Sequence, residues 1–90
     1  MYAQRIKDQL SDLNPDAALF DDNMSAALIG IGYRGNSNPV AVYSRNKIIE
    51  RLCSDGFTLD EAESYYISMF LNVVADENTP IIFYDCTEAE

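Results

Sequence analysis

One alternating run constrains the fold of this chain more than any other feature. The run AALIGIGYR, residues 26–34, repeats with a period of two, as the residues of a β-strand do. Its two predicted faces carry Ala27, Ile29, Ile31 and Tyr33, and Leu28, Gly30, Gly32 and Arg34. Turn-forming residues follow at 35–39, and VAVY at 40–43 is rich in β-branched and aromatic residues. This pattern predicts an antiparallel hairpin.

The same run contains GIGYRG, residues 30–35, which matches the glycine spacing of dinucleotide-binding folds. In those folds the last glycine opens a helix whose N-terminus faces the phosphates. Here turn residues and a second strand follow instead, so we interpret the glycines as structural. Gly30 and Gly32 lie two apart and form a strip without side chains. We expect a helix of the same protein to pack against this strip, and the alternative is the approach of a partner or ligand.

Three helices are predicted from spacing and capping residues. Residues 1–14 form the first, which ends at an Asn-Pro pair. Ser44 is a good cap for the second, over residues 45–54. Thr58 and Glu61 have the spacing of a capping box for the third, which runs to residue 75. The third helix should bury a stripe consisting of Leu59, Ala62, Tyr66, Met69, Phe70 and Val73.

A last strand is predicted in PIIFY, residues 80–84, before a loose acidic tail at 85–90. The chain of 90 residues is therefore predicted to be a single α+β domain. Its element order is α-β-β-α-α-β, and its sheet is three-stranded and mainly antiparallel, with the helices packed on one face. Which strand lies in the centre is left open, although a central first strand would suit a glycine strip covered by helices.

The third helix carries a second apolar flank beside its stripe. This flank consists of Ile67, Leu71 and Val74. When a helix is apolar on so much of its circumference, the face turned away from the sheet is also expected to be covered. We expect either the N-terminal helix or another subunit to cover the flank, so a homodimer is one alternative.

Catalysis and metal binding find little support in the composition. The chain has no histidine, which removes the usual general base and the usual zinc ligand. Its two cysteines form no C-x-x-C pair. The acidic residues 60–63 start a helix, where the backbone dipole favours them in any case. We therefore predict no enzymatic activity, no cofactor and no metal site.

The charge of the chain points toward a protein partner. Fifteen acidic residues against six basic ones give a net charge of -9, and such a field repels nucleic acid and anionic lipid. If charge matters, the partner presents a basic protein surface. The alternative is that the acidic side chains have no role in binding and only keep the protein soluble. The sequence contains no apolar run of ~18 residues that could span a bilayer, so we expect a cytoplasmic protein.

A candidate binding patch lies at the hairpin. Arg34 sits at a strand end near Tyr33 and Tyr43. Arginine and tyrosine often anchor protein interfaces, because they combine a large contact area with directed hydrogen bonds.

Several short blocks together resemble a family. These blocks are ALIGIGYR, PVAVYS, Lys47-Ile48-Ile49, DGFTLDEAESYY, Phe70-Leu71-Asn72 and ENTPIIF. Their order resembles that of small acidic proteins encoded by tailed bacteriophages and prophages, over about residues 15–84. The chain departs from the family where an acidic residue usually precedes the lysine, and where a glycine usually stands in place of Asp76. The family has no established activity, so the resemblance implies a phage context and no active site.

We therefore predict a non-enzymatic protein-binding module, a phage accessory protein that binds and modulates a host or phage protein. One alternative is an anti-defence inhibitor whose carboxylates mimic nucleic acid, for which Asp76, Glu77 and Asp85 are the candidate residues. Another is a self-associating structural protein in which the second apolar flank is a dimer contact.

Overall fold

In a computed structural model of the chain, helices pack against one face of a small mixed sheet. The structure describes residues 2–33, 35, 38–71 and 77–84. The elements in chain order are α1 (Tyr2–Leu13), a 3-10 helix (Asp22–Ala27), β1 (Leu28–Gly32), β2 (Val40–Ser44), α2 (Arg45–Ser54), α3 (Leu59–Tyr66), a π-helical segment (Ile67–Leu71) and β3 (Ile81–Phe83). The α+β class and the order α-β-β-α-α-β are therefore confirmed. The predicted first strand starts later than expected because Ala26 and Ala27 belong to the 3-10 helix.

The sheet formed by the described residues has the strand order β1-β2-β3, with β2 in the centre. β1 pairs with β2 in the antiparallel direction, as the hairpin pattern predicts. β3 pairs with β2 in the parallel direction, after a crossover through α2 and α3. The sheet is thus mixed, and the suggestion of a central first strand is wrong.

A β-bulge at Ile29 interrupts the alternation of β1. Leu28 pairs with Tyr43 and Gly30 pairs with Val42, so two steps along β1 match one step along β2. Leu28 therefore faces the core together with Tyr43, whereas Gly30 lies on the opposite face of the sheet. The strict alternation, which groups Leu28 with the glycines, is wrong at this position because the bulge moves the side chain to the other face.

The core lies between this sheet and the helices. Its buried members are Ile6, Leu10, Met24, Ala27, Leu28, Ala41, Tyr43, Ile48, Ile49, Leu52, Ala62 and Tyr66. α1, α2 and α3 all contribute apolar residues at helical spacing. Burying one such aliphatic side chain stabilises the fold by ~1.5–3 kcal/mol, so the helices depend on this shared core rather than on their own propensity.

The predicted caps of α2 and α3 are both confirmed. The Ser44 hydroxyl accepts a hydrogen bond from the Lys47 backbone N–H at 3.2 Å. Thr58 and Glu61 form the complete capping box, with reciprocal hydrogen bonds of 3.2 and 2.9 Å. These bonds satisfy backbone donors that would otherwise have no partner at the helix starts.

The third helix buries less of its predicted stripe than expected. Ala62 and Tyr66 are buried and Phe70 packs against the core, as predicted, but Leu59 and Met69 are exposed. The chain changes from α-helical to π-helical geometry after Tyr66. The wider i→i+5 turn alters the angular spacing and carries Met69 away from the core. Val73 lies outside the described residues.

The glycine strip is not covered by a helix of the protein. Gly30 and Gly32 lie on the sheet face opposite the core, where they pair with Val42 and Val40. A Cβ atom added at Gly32 would lie 2.8 Å from Val42 Cγ2, whereas one added at Gly30 would meet no described atom within 4 Å. The expectation of a covering helix is therefore wrong, since neighbouring strands fill the space at Gly32 and the space at Gly30 is open.

The buried side chain of Asn14 holds the end of α1 against the sheet. Its Nδ2 donates hydrogen bonds to the Pro39 carbonyl at 2.9 Å and to Asn78 Oδ1 at 3.1 Å. Its Oδ1 accepts a hydrogen bond from the Asp16 backbone N–H at 3.2 Å. Nearer the start of α1, Lys7 Nζ donates to Ser25 Oγ at 2.9 Å. α1 is thus fastened to the residue before β2, to the turn before β3 and to the 3-10 helix before β1.

None of the helices in the described ranges is long and apolar enough to cross a lipid bilayer.

The two strand glycines provide a matched pair for testing the sheet packing. We expect Gly32→Ala to lower the free energy of unfolding by ~1–3 kcal/mol, because the stiff Val42 side chain must move. Gly30→Ala should be neutral or stabilising by up to ~1 kcal/mol, since its Cβ meets open space. Urea unfolding measures both values. Equal stabilities of the two variants would contradict the close contact between position 32 and Val42.

Asn14→Asp tests the contribution of the buried amide. The carboxylate cannot donate to Pro39 or Asn78, so we expect the free energy of unfolding to fall by ~1–3 kcal/mol or more. Asn38→Asp makes the same chemical change at an exposed position and is the control. If the two variants unfold at the same urea concentration, the Asn14 amide does not hold α1 in place.

Candidate binding groove

A groove of about 530 Å³ runs between α1 and the edge strand β1. The helix contributes Ile6, Gln9 and Leu13 to its wall, and the strand side contributes Gly30, Ile31 and Tyr33. Leu13 and Tyr33 are exposed over 51% and 64% of their surface. The groove therefore combines an apolar lining with two large side chains that water still reaches.

The helical period of α1 explains the groove. Arg5, Gln9 and Leu13 follow one another at intervals of four and share one side of the helix. Ile6, on the adjoining side, is buried in the core. Because α1 packs against β1, this side of the helix becomes a wall that faces the strand.

The charges around the groove are arranged unevenly. Arg5 is a lining residue, while Asp8 and Asp12 lie with Arg5 and Gln9 around a shallow depression on the outer side of α1. The charged residue in the lining of the groove is therefore Arg5, whereas the two carboxylates border a separate depression. A groove with an apolar lining and with a tyrosine and an arginine at its wall has the composition of a protein-binding surface.

The predicted patch of Tyr33, Arg34 and Tyr43 does not exist as one surface. Tyr33 lies at the groove. Tyr43 is only 1% exposed, so its assignment to a binding surface is wrong. The physical reason is that β2 turns Tyr43 toward the core, opposite Leu28. Arg34 lies outside the described residues.

Tyr43 instead organises the core. Its hydroxyl accepts a hydrogen bond from the Phe20 backbone N–H at 3.1 Å, and its ring lies 4.6 Å from the Phe20 ring. Burial raises the pKa of the Tyr43 phenol, and the charge of Asp22 also raises it, against the opposing effect of the Phe20 hydrogen bond. The Tyr66 pKa is likewise raised by burial, although Arg45 opposes this shift.

The second apolar flank is exposed where the structure describes it. Ile67 and Leu71 are exposed over 48% and 50% of their surface. α1 packs on the sheet rather than on this flank, so the N-terminal helix is not its cover there. Val74 lies outside the described residues.

The three carboxylates predicted for nucleic-acid mimicry are described only in part. Glu77 is exposed in the turn that precedes β3. Asp76 and Asp85 lie outside the described residues. Across the ranges that the structure describes, no three His, Cys, Asp or Glu side chains are placed to hold a metal ion.

Sequence reasoning missed a cluster around Arg45. Its guanidinium forms an ion pair of 3.0 Å with Glu63 and lies 4.9 Å from the centre of the Tyr84 ring and 5.8 Å from that of Tyr66. The cluster joins the start of α2 to α3 and to the end of β3. No local pattern indicates it, because its members are brought together by the parallel pairing of β3 with β2.

Tyr43→Phe should reveal the buried phenol through stability at neutral and alkaline pH. Loss of the Phe20 hydrogen bond should cost ~0.5–1.5 kcal/mol at pH 7. In the wild type the unfolded chain loses the phenol proton near its ordinary pKa of 10.0, before the folded chain does. Stability should therefore fall as the pH rises above about 10. The fall should be less steep in Tyr43→Phe, as measured by urea unfolding.

Tyr33→Phe is the control for this experiment, because the Tyr33 ring is exposed. It should reproduce the wild-type stability and its alkaline decline. If the stability of Tyr43→Phe falls above pH 10 as steeply as that of the wild type, the Tyr43 phenol does not cause the alkaline decline.

Comparisons of the chain with protein-family models, with curated proteins and with solved structures found no match. The resemblance to small acidic phage proteins therefore stays a prediction from the short sequence blocks. The function must be inferred from the surfaces of the molecule itself.

Proposed function

We propose that the protein is a non-enzymatic protein-binding module, a phage accessory protein that binds a host or phage protein in the host cytoplasm and modulates it. The observation that carries this proposal is the groove between α1 and β1. It is apolar, it is open to solvent, and it leaves Leu13 and Tyr33 accessible. Exposed aromatic and aliphatic side chains around a concave surface are typical of protein-binding sites.

The chemistry of the chain supports binding rather than catalysis. The sequence has no histidine, and the groove lining offers no nucleophile beside a base. The net charge of -9 favours encounter with a basic protein surface, because complementary fields raise association rates. The phage context comes from the sequence resemblance alone.

Self-association is a second candidate, and a different surface favours it. Ile67 and Leu71 of the second apolar flank are exposed over 48% and 50% of their surface. An isologous dimer would bury this flank against its own copy. The nucleic-acid mimic stays a further alternative, with Glu77 as its exposed carboxylate.

Affinity capture with surface variants tests the proposed function. A tagged protein is passed through host lysate with and without phage infection, and retained proteins are quantified by mass spectrometry. We expect a stoichiometric partner that the variant Leu13→Ser/Tyr33→Ala no longer retains. Both side chains are exposed, so this variant should remain folded.

Leu71→Ser on the second apolar flank is the matched control and should retain the partner. Capture that survives the groove variant and fails in Leu71→Ser would place the binding site on the flank. The proposed function fails if the wild type retains nothing above a charge-matched acidic protein. Light scattering of the purified wild type and Leu71→Ser reports on self-association independently.

A further inference from the structure

We propose that the groove between α1 and β1 binds a segment of the partner that carries an apolar side chain at one end and a single carboxylate, from Asp or Glu, at the other. The carboxylate pairs with Arg5, and the apolar side chain lies at Leu13 and Tyr33. This inference rests on the proposed function and specifies the segment of the partner that this function uses.

The direction of α1 relative to β1 follows from its two fastening points. Lys7 donates a hydrogen bond to Ser25, which precedes β1. Asn14, at the end of α1, donates to the carbonyl of Pro39, which precedes β2. Because β1 and β2 are antiparallel, the start of β2 lies beside the end of β1. α1 therefore runs in the same direction as β1.

This shared direction gives the groove a polar end and an apolar end. Arg5, Gln9 and Leu13 follow one another along the helix wall, and a rise of ~1.5 Å per residue places Leu13 ~12 Å beyond Arg5. Leu13 thus lies toward Tyr33, which follows β1 directly. The groove presents a guanidinium at one end and two exposed apolar surfaces at the other.

The charge of Arg5 has no partner among the residues that the structure describes. Three other cations form ion pairs of between 3.0 and 3.6 Å, namely Lys7, Arg45 and Arg51. Asp8, three residues after Arg5, accepts a hydrogen bond from Gln4 instead. Arg5 does not stabilise the start of α1 either, since the helix dipole favours anions there. A guanidinium in this position is suited to a carboxylate, which it can bind through two parallel hydrogen bonds.

The exposure of the groove and the charge of the chain select among the occupants. A small-molecule site encloses most of its ligand, whereas Leu13 and Tyr33 are exposed over 51% and 64% of their surface. The net charge of -9 opposes a second copy of this chain and any segment with many acidic residues. A segment of another protein with one carboxylate gains the attraction of Arg5 with the least long-range repulsion, and the surface around it can be basic.

The dimensions of the groove determine the spacing within the segment. A helix is ~10–12 Å across and fills ~900 Å³ over a length of ~12 Å, which exceeds the groove volume of about 530 Å³. An extended chain advances ~3.3–3.6 Å per residue, so it covers the same length in about three or four residues. The recognised motif is therefore one aromatic or aliphatic residue and one Asp or Glu at that separation.

A displayed library of short random peptides is the probe for this motif. The full-length protein is immobilised, and bound peptides are selected, sequenced and synthesised with blocked termini, so that only side-chain carboxylates can pair with Arg5. We expect the selected peptides to share an apolar residue and one acidic residue about three or four positions apart. Leu13→Ser/Tyr33→Ala should abolish their binding.

A charge reversal tests the contact with Arg5 directly. Arg5→Glu should lower the affinity for the selected peptide by about tenfold or more. Replacing the acidic residue of the peptide by lysine should restore binding to Arg5→Glu and weaken binding to the wild type. Both Arg5 and Glu suit an exposed position on α1, so the variant should remain folded. Rescue by the altered peptide would also exclude misfolding as the cause.

Lys47→Glu is the matched control. It changes the net charge by the same amount at an exposed position of α2 outside the groove lining, and it should retain the wild-type affinity within about twofold. Equal losses in Lys47→Glu and Arg5→Glu would reveal a general charge effect and overturn the assignment to Arg5.

Three other outcomes would also overturn the inference. These are the selection of no peptide, the selection of peptides without a fixed spacing between apolar and acidic residues, and a wild-type dimer that Arg5→Glu dissociates. The proposed function is tested separately. A lysate partner that Arg5→Glu retains as firmly as the wild type would leave the proposed function in place and remove the carboxylate contact. Failed lysate capture with successful charge reversal would support the peptide site and remove the partner.

Discussion

The buried amide of Asn14 is the interaction on which the arrangement of the molecule depends. It links the end of α1 to the residue before β2 and to the turn before β3, through hydrogen bonds to Pro39 and Asn78. A buried amide without partners is costly, so the three segments are stable only when they come together. These bonds fix the end of α1, and the packing of α1 against β1 then forms the wall of the groove.

β1 itself combines two opposing requirements. Its first residue, Leu28, must reach the core, while Gly32 must leave room for Val42 on the other face of the sheet. The bulge at Ile29 meets both requirements by changing the face between Leu28 and Gly30. The result is a strand at one end of the described sheet whose first residue is anchored in the core and whose Ile31 also packs against it.

The proposed function follows from surfaces rather than from reactive groups. The groove and the second apolar flank expose apolar side chains at separate places on the molecule. The groove adds Tyr33 and the polar side chains of Arg5 and Gln9 to its apolar lining, whereas the described part of the flank consists of Ile67 and Leu71. Directed polar contacts supply specificity that apolar contact alone does not, and this favours the groove as the partner site.

Local sequence patterns were sufficient to predict the helices and strands, whereas contacts between distant segments decided where the groove forms. The caps at Ser44 and Thr58, the hairpin and the order α-β-β-α-α-β could be read from the sequence, because each depends on residues a few positions apart. The parallel pairing of β3, the bulge at Ile29 and the burial of Tyr43 could not be read, since distant segments compete for one small core. The sequence indicated Tyr33 as a candidate binding residue but not the groove around it. The α1 residues that line the groove were not predicted. By itself, the sequence determined the class of fold, the helix ends and the acidic character of the protein. The tertiary structure alone decided which side chains meet, because only packing places α1 along β1 and forms the groove between them.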